Sequence, residues 1–405
     1  MAAVQAVEAE GQAPAWRGGF GRLWSAAVVS RFGDSLRGAA MPLLAASLTA
    51  DPMLVSLVTA CGFLPWLLFG LLGGAVADRV DQRRAMWAVD LLRGVLMAGF
   101  AVAVALGHAS IALLIVVAFA LTTLQTLFDN AATALLPSLV PAGTLGAANA
   151  RLMVGQQIAS TFLAAPLVPV LLIWGPSVPY AADATTYVLA AVLIASLRTT
   201  LPQREPRAAG STLRGEIAEG LKALWSDRPM RGLCVATTLC NIGVGALIAV
   251  LVLHVTGWLD AGQAGYAAVL MAYGVGSVVG GLGAGRLARR LGRIRSVFLA
   301  GVVETGCLVA LGTVRELWAA VAAMAVFGLM GTVWNANQVT LMQERSPAAM
   351  LGRISAAFRT LAIAGTPLGA LLGGLVAAGW GLNTPALLAA VLFGLAVASL
   401  APLIN

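Results

Sequence analysis

Residues 73–84 read Gly73-Gly74-Ala75-Val76-Ala77-Asp78-Arg79-Val80-Asp81-Gln82-Arg83-Arg84. An apolar run ends at this stretch and another begins after it, and each is long enough to cross a bilayer, which takes roughly 20 residues. The paired glycines allow a neighbouring helix to approach closely. Asp78 suits the positive N-terminus of an adjacent helix. Arg79, Arg83 and Arg84 crowd positive charge into a tight turn. Lys and Arg concentrate on the cytoplasmic side of membrane proteins, so the stretch reads as an inner loop between two membrane helices.

The rest of the chain follows that lead. Of 405 residues, 60% are hydrophobic and 10% charged, whereas soluble domains carry about a quarter charged residues. A soluble enzyme and a disordered chain are both excluded. The apolar runs are continuous and do not alternate, which argues against a β-barrel. Twelve helical spans are expected at 20–47, 53–77, 85–106, 110–136, 147–173, 178–197, 232–256, 262–285, 296–313, 317–342, 354–376 and 383–402. Most of the 25 basic residues, Lys222 among them, fall in alternate breaks. The net charge of +8 therefore orients the helices and does not mark a nucleic-acid surface. An even number of spans puts both termini in the cytoplasm. Residues 1–15 are polar and include Glu8 and Glu10, so no cleaved signal peptide is expected. Trp174, Trp258, Trp318 and Trp380 mark outer helix ends.

The four cysteines (Cys61, Cys234, Cys240, Cys307) form no CxxC pair, and His108 and His254 are isolated, so neither a disulfide framework nor a metal site is expected. No phosphate-binding loop, HExxH or nucleophile elbow occurs. The chain is expected to be no enzyme and to need no cofactor. With no site for ATP, energy must come from an ion gradient.

One break is longer than the others. Residues 198–231 mix basic and acidic side chains, and within them Leu213, Ile217, Leu221 and Leu224 recur at helical spacing, as in an amphipathic helix lying at the membrane surface. The expected domains are a tail at 1–19, a six-span half at 20–197, this linker and a second half at 232–405. The halves repeat. An offset of 206 relates Phe128 to Trp334, Asp129 to Asn335, Pro141 to Pro347 and Gly146 to Gly352, and an offset of 207 relates Gly73 to Gly280, Arg79 to Arg286 and Arg83 to Arg290. Parallel six-span repeats of this kind are the architecture of major-facilitator transporters, which bind substrate near the midplane between the halves.

The loop stretch resembles the inner-loop motif of the major facilitator superfamily, with Asp81-Gln82 standing where Gly-Arg is usual. Further resemblance is to the superfamily's drug and metabolite efflux branch, which includes macrolide and enterobactin exporters. It rests on Arg31-Phe32-Gly33-Asp34, Asp90-Leu91-Leu92-Arg93, Leu136-Pro137-Ser138-Leu139-Val140-Pro141 and the segment Glu216 to Trp225. The resemblance implies an all-α, twelve-helix fold in a bacterial plasma membrane. It also implies export of a small amphipathic compound by proton antiport and alternating access, with the proton and membrane lipid as partners and a monomer as the working unit. Span five carries Ala164-Ala165-Pro166 where antiporters usually carry Gly-Pro. The fuller form, Gly365-Thr366-Pro367-Leu368-Gly369, stands in span eleven. Import or uniport on the same fold stays open, as does a membrane sensor that transports nothing.

Charges inside the bilayer need a reason, because each is costly to place there. Arg31, Asp34 and Arg37 share one helix face. A mid-bilayer carboxyl whose cationic partners come and go takes up and releases a proton, so Asp34 is a candidate for proton coupling, or else part of a fixed structural pair. Glu304, isolated in span nine, is the second candidate. Candidate cavity residues are Arg31, Arg37, Trp66, Gln156, Gln157, Asn241, Trp334 and Asn337. The candidate gate comprises Gly74, Asp78, Arg79, Arg83 and Arg84, the pair Asp90 and Arg93 expected near the inner end of span three, and the repeat-related Asp129 and Asn335. Asp183 is expected at the outer interface, with Arg359 snorkelling to the inner one. A cavity so sparse in charge suits uncharged or weakly cationic substrates.

Overall fold

The computed structural model describes residues 19–77, 81–141, 144–197, 213–347 and 350–403. Among them all regular structure is helical. The helices are α1 (Gly19–Leu48), α2 (Pro52–Ala77), α3 (Gln82–Ala105), α4 (Ile111–Leu135), α5 (Leu145–Ile158), α6 (Ala165–Trp174), α7 (Val178–Ala195), α8 (Leu213–Ser226), α9 (Arg228–Leu253), α10 (Gly262–Leu291), α11 (Arg293–Thr313), α12 (Leu317–Arg345), α13 (Leu351–Trp380) and α14 (Thr384–Leu400).

The starts follow from local chemistry. The carboxylate of Asp81 accepts from the Arg84 N–H at 3.0 Å and caps α3. Ser110 caps α4 through Leu113 N–H, and Asp227 caps α9 through Met230 N–H at 3.0 Å. These side chains satisfy backbone donors that the first turn leaves open. The break expected at 286–295 shrinks to one residue: α10 runs to Leu291 and α11 begins at Arg293. Gly292 supplies the turn at φ +83°, a conformation that costs glycine no Cβ clash.

Ten helices are long and apolar enough to cross a membrane. An eleventh span is reached if 147–161 and 166–174 form one bent segment. The two parts meet at 47°. Between them lies a π-helical turn, Ala159–Ala164, with Pro166 just beyond it, and both features kink helices. The remaining expected span, α1, is 30 residues long. Its Arg22, Arg31, Asp34 and Arg37 leave no 18-residue stretch with two charges or fewer, so it is not among the ten. Large apolar side chains stand outward at Val95, Val116, Ile173 and Leu282, each more than half exposed, as on a lipid-facing surface. Trp174, Trp318 and Trp380 are exposed at the helix ends where an interfacial belt was expected.

The chain packs as two units, Met1–Leu44 with Leu68–Glu205 and Ala45–Leu67 with Pro206–Asn405. In the first, α3 packs on α4 and α7. Phe20, Leu23, Met86, Phe128, Leu135 and Ile194 form an apolar core there. In the second, α11 packs on α12 and α14, while α10 lies along α12 and α9 along α13. The pairs α3–α7 and α11–α14 correspond under the repeat, as do α3–α4 and α11–α12. The amphipathic segment of the linker forms α8. It packs on α13, with Leu224 buried and Glu219 ion-paired to Arg353.

Two glycine seams set the close packing of the second unit. Gly365, Gly369 and Gly373, four residues apart on α13, lie against the α9 backbone at Thr238, Ile242 and Ala246. Gly276 and Gly280 of α10 lie against the α12 backbone at Ala325 and Leu329. The Gly-Pro stretch of span eleven is thus the contact surface of a helix pair. Small residues let backbones approach in this way. A Cβ on Gly369 would collide with the carbonyl of Ile242, whereas one on Gly283 meets nothing within 4 Å. Overpacking of this kind costs about 1–3 kcal/mol or more. Thermal unfolding in detergent is expected to show Gly369→Val clearly destabilised and Gly283→Ala unchanged.

Candidate functional site

The first unit encloses a network of charges. Asp34 Oδ1 accepts from Arg37 Nη2 at 3.0 Å, Arg93 Nη2 at 2.9 Å and the Tyr187 hydroxyl at 2.5 Å. Arg93, 0% exposed, is the hub. Its Nη1 donates to Asp90 Oδ1 at 2.9 Å, and its Nη2 also reaches Gln125 Oε1 and the Tyr187 hydroxyl. The guanidinium stacks over the Tyr187 ring at 4.1 Å and lies 5.7 Å from the Phe128 ring centre, an arrangement that attracts a cation to the ring face. Gln125 Nε2 passes the chain on to Asp129 at 2.8 Å. On the other flank Arg37 Nε lies 3.3 Å from Asp183 Oδ2.

Each helix contributes through its spacing. On α1, Asp34 and Arg37 share a face. On α3, Asp90 and Arg93 do the same, and on α7 so do Asp183 and Tyr187. Gly33 lets α1 come close to α7, since a Cβ there would strike the Thr186 hydroxyl and the Asp183 carboxylate. Three carboxyl groups, Asp34, Asp90 and Asp183, lie directly against two guanidiniums, Arg37 and Arg93, and Asp129 joins them through Gln125. Among the described residues, Oδ2 of Asp90 accepts no hydrogen bond, and Oδ2 of Asp183 has only the ion pair with Arg37. A cluster with more carboxyls than guanidiniums can take up a proton without building net positive charge.

Three expectations are corrected here. Arg31 does not flank Asp34: it is exposed, and Arg93 takes that place from another helix. A residue at i−3 shares the face of Asp34, but the face that meets α3 and α7 is the one Arg37 and Gly33 occupy. Asp90 and Arg93 are not at the inner end of α3, because Arg93 lies about 16 Å along the helix at 1.5 Å per residue and is fully buried. Asp183 stands near the start of α7, where it was expected, but it is covered by protein, not by water: it is 0% exposed and lies 3.3 Å from Arg37.

The remaining candidates scatter. Asp78 and Arg79 lie outside the described residues, and Gly74 is placed only as part of α2. Arg83 donates to the carbonyl of Ala195 at the end of α7. Arg84 is exposed, with a loose 3.6 Å pair to Asp81. Gln157 donates to Thr161 at 2.8 Å, and Gln156 and Trp66 are half-buried.

In the second unit, Glu304 on α11 is 3% exposed and makes no ion pair among the described residues. Its carboxylate lies close to Gly331 of α12. Trp334 is buried and donates to Gln338 Oε1 at 3.0 Å. The same oxygen accepts from the Thr237 hydroxyl at 2.9 Å. Asn337 turns back to the Val333 carbonyl. Trp334 and Asn337 pack the helices and are absent from the lining of the neighbouring cavity, whereas Asn241 and Asn335 do line it. Sequence reasoning missed Gln125, Tyr187 and Thr237. Their one signal is a hydrogen-bonding side chain in the middle of an apolar run.

A polytopic helical protein with repeat-related packing and buried intramembrane charges is a secondary transporter of the major-facilitator type. Comparison with known proteins gives the same result. The family described as transmembrane secretion effector, within the major facilitator superfamily, matches residues 9–404, and the chain belongs to it. Macrolide efflux protein A of Streptococcus pyogenes is 24% identical over 400 residues, covering 96% of each chain. The multidrug efflux pump Tap of Mycobacterium tuberculosis is 27% identical over 86% of this chain and 84% of its own. The enterobactin exporter EntS of Citrobacter koseri is 27% identical over 94% and 90%. A crystal structure of a mutant nucleoside transporter NupG shares the fold at TM-score 0.76 and 11% identity, covering 95% of this chain and 100% of that one.

Losing one member of a buried ion pair strands the other, at a cost of roughly 3–5 kcal/mol. Arg93→Gln is expected to lower the detergent melting temperature markedly. Adding Asp34→Asn should recover part of the loss, and a double-mutant cycle on the two substitutions measures the coupling.

Proposed function

We propose that this protein exports a small amphipathic compound across a bacterial plasma membrane in exchange for protons, by alternating access. One observation carries the reading: a cluster in which three carboxyls, Asp34, Asp90 and Asp183, lie directly against two guanidiniums, Arg37 and Arg93. Structure alone does not require so many carboxyls, since one would neutralise each arginine. Proton binding at Asp34 would release Arg37, Arg93 and Tyr187 together and so loosen α1 from α3 and α7. Proton loss would draw them back. The cluster would thereby link protonation to helix arrangement. Glu304 is the second site where a proton could reside. The macrolide, multidrug and enterobactin exporters among the relatives support outward transport. We place both termini in the cytoplasm, assign the six-span halves to 20–197 and 232–405 with 198–231 as their linker, and take the monomer as the transporting unit. Asp78, Arg79, Arg83 and Arg84 serve as the inner-face latch.

The test uses inverted vesicles energised to be acidic inside, with a pH-sensitive dye. Macrolides and amphipathic dyes added outside should trigger proton release from wild-type vesicles. Asp34→Asn should abolish the release while leaving the protein monodisperse in detergent. Full release from that variant would remove Asp34 from the coupling step, and Glu304→Gln then reports whether the second carboxyl takes it.

A further inference from the structure

A cavity of about 510 Å³ opens within the second unit, among α9, α12 and α13. That is the size of a pocket for a drug-sized ligand, about 300–1,000 Å³. Its polar lining comprises Thr237, Asn241, Asn335, Gln338, Ser355 and Arg359. Met342, Phe358 and Ile363 supply apolar walls. Among the described residues that line it there is no carboxylate.

Arg359 is the unusual member. It lies about 12 Å into α13 at 1.5 Å per residue. Among the described residues it has no ion-pair or hydrogen-bond partner. An intramembrane guanidinium is costly and marks a functional site when it faces a cavity. The neighbouring amides add donors. Gln338 spends its oxygen on Thr237 and Trp334, which leaves its amide N–H groups toward the cavity. Asn335 makes no hydrogen bond among the described residues. The wall thus offers N–H donors from Gln338 and Asn335 beside one positive charge that has no partner among the described residues, while Asn241, whose amide N–H is spent on the Thr237 carbonyl, presents an acceptor oxygen.

We infer that this cavity binds the oxyanion head of an amphipathic organic anion, with Arg359 as its charge partner and the Asn335 and Gln338 amides as further donors. The apolar wall takes the body of the molecule. The inference rests on the exporter reading and adds to its substrate class compounds bearing a carboxylate, sulfonate or acidic phenol. An anionic lipid headgroup presents the same oxyanion chemistry and could occupy the same place.

The test is equilibrium fluorescence titration of the full chain in phosphatidylcholine nanodiscs. The probes are anilinonaphthalene sulfonate and its neutral counterpart N-phenylnaphthylamine, which lacks the sulfonate. A charge-assisted hydrogen bond contributes about 1.5–3 kcal/mol, so Arg359→Gln is expected to weaken sulfonate binding at least about tenfold and leave the neutral probe unchanged. Arg359→Lys should retain part of the preference. Added phosphatidylglycerol separates the sources. Displacement of the sulfonate from wild type assigns the oxyanion to lipid, and undisturbed binding assigns it to a transported solute. Equal sulfonate affinity in wild type and a folded Arg359→Gln, checked by unchanged melting, would overturn the inference. The assay has no proton gradient. Loss of the Arg359 effect with intact proton release would therefore sink this site alone, and the reverse pattern would sink proton exchange alone.

Discussion

A guanidinium that cannot lose its proton sits inside the first unit with no exposed surface, and the arrangement around it follows from that fact. Arg93 must find acceptors or destabilise the fold. It finds them on three other elements: Asp34 of α1, Gln125 of α4 and Tyr187 of α7, beside its own helix neighbour Asp90. Four helices are thereby referenced to one side chain. Gly33 and Gly94 provide the space. The first brings α1 against Asp183 and Thr186, and the second brings α3 against Ala184 and Val188.

The two units solve the problem of helix association differently. Lipid supplies little hydrophobic drive between helices already in the membrane, so packing and polar contacts must supply it. In the first unit the polar contacts dominate. In the second the glycine seams along α10 and α13 dominate, and the polar groups are mostly neutral: Thr237, Gln338, Trp334 and Asn337 satisfy one another or the backbone. The repeat preserved the pairing of helices and let the chemistry diverge. Asp129 belongs to the charge network, while its counterpart Asn335 lines a cavity.

The sequence shows the membrane class, the repeat and the buried carboxyls of Asp34 and Glu304, because hydropathy and spacing along one chain are local properties. Of the partners of Asp34, Arg37 was legible from its spacing of three, and Arg93 and Tyr187 were not. Arg93 is 59 residues away, and helical periodicity says which face a residue occupies but not which helix meets that face. Proximity in sequence favoured Arg31, which proved exposed. Asp183 misled for a related reason. Its place near the start of a span implied water, yet protein covers it and Arg37 pairs with it. The Ala-Pro of span five looked like a weakened motif. In the structure the π-helical turn at Ala159–Ala164 and the 47° bend do the local work there.

The charge network also constrains how the chain can change over generations. Removing one partner of a buried pair is strongly destabilising, whereas replacing the whole set with apolar residues of similar volume is often neutral. Arg93 touches partners on three helices besides its own, so no single substitution at Asp34, Asp90 or Arg93 leads smoothly to an uncharged interior. A lineage that abandons the cluster must change several residues on separate helices nearly together. One that keeps it inherits all of them as a block, even as the lipid-facing positions around them vary freely.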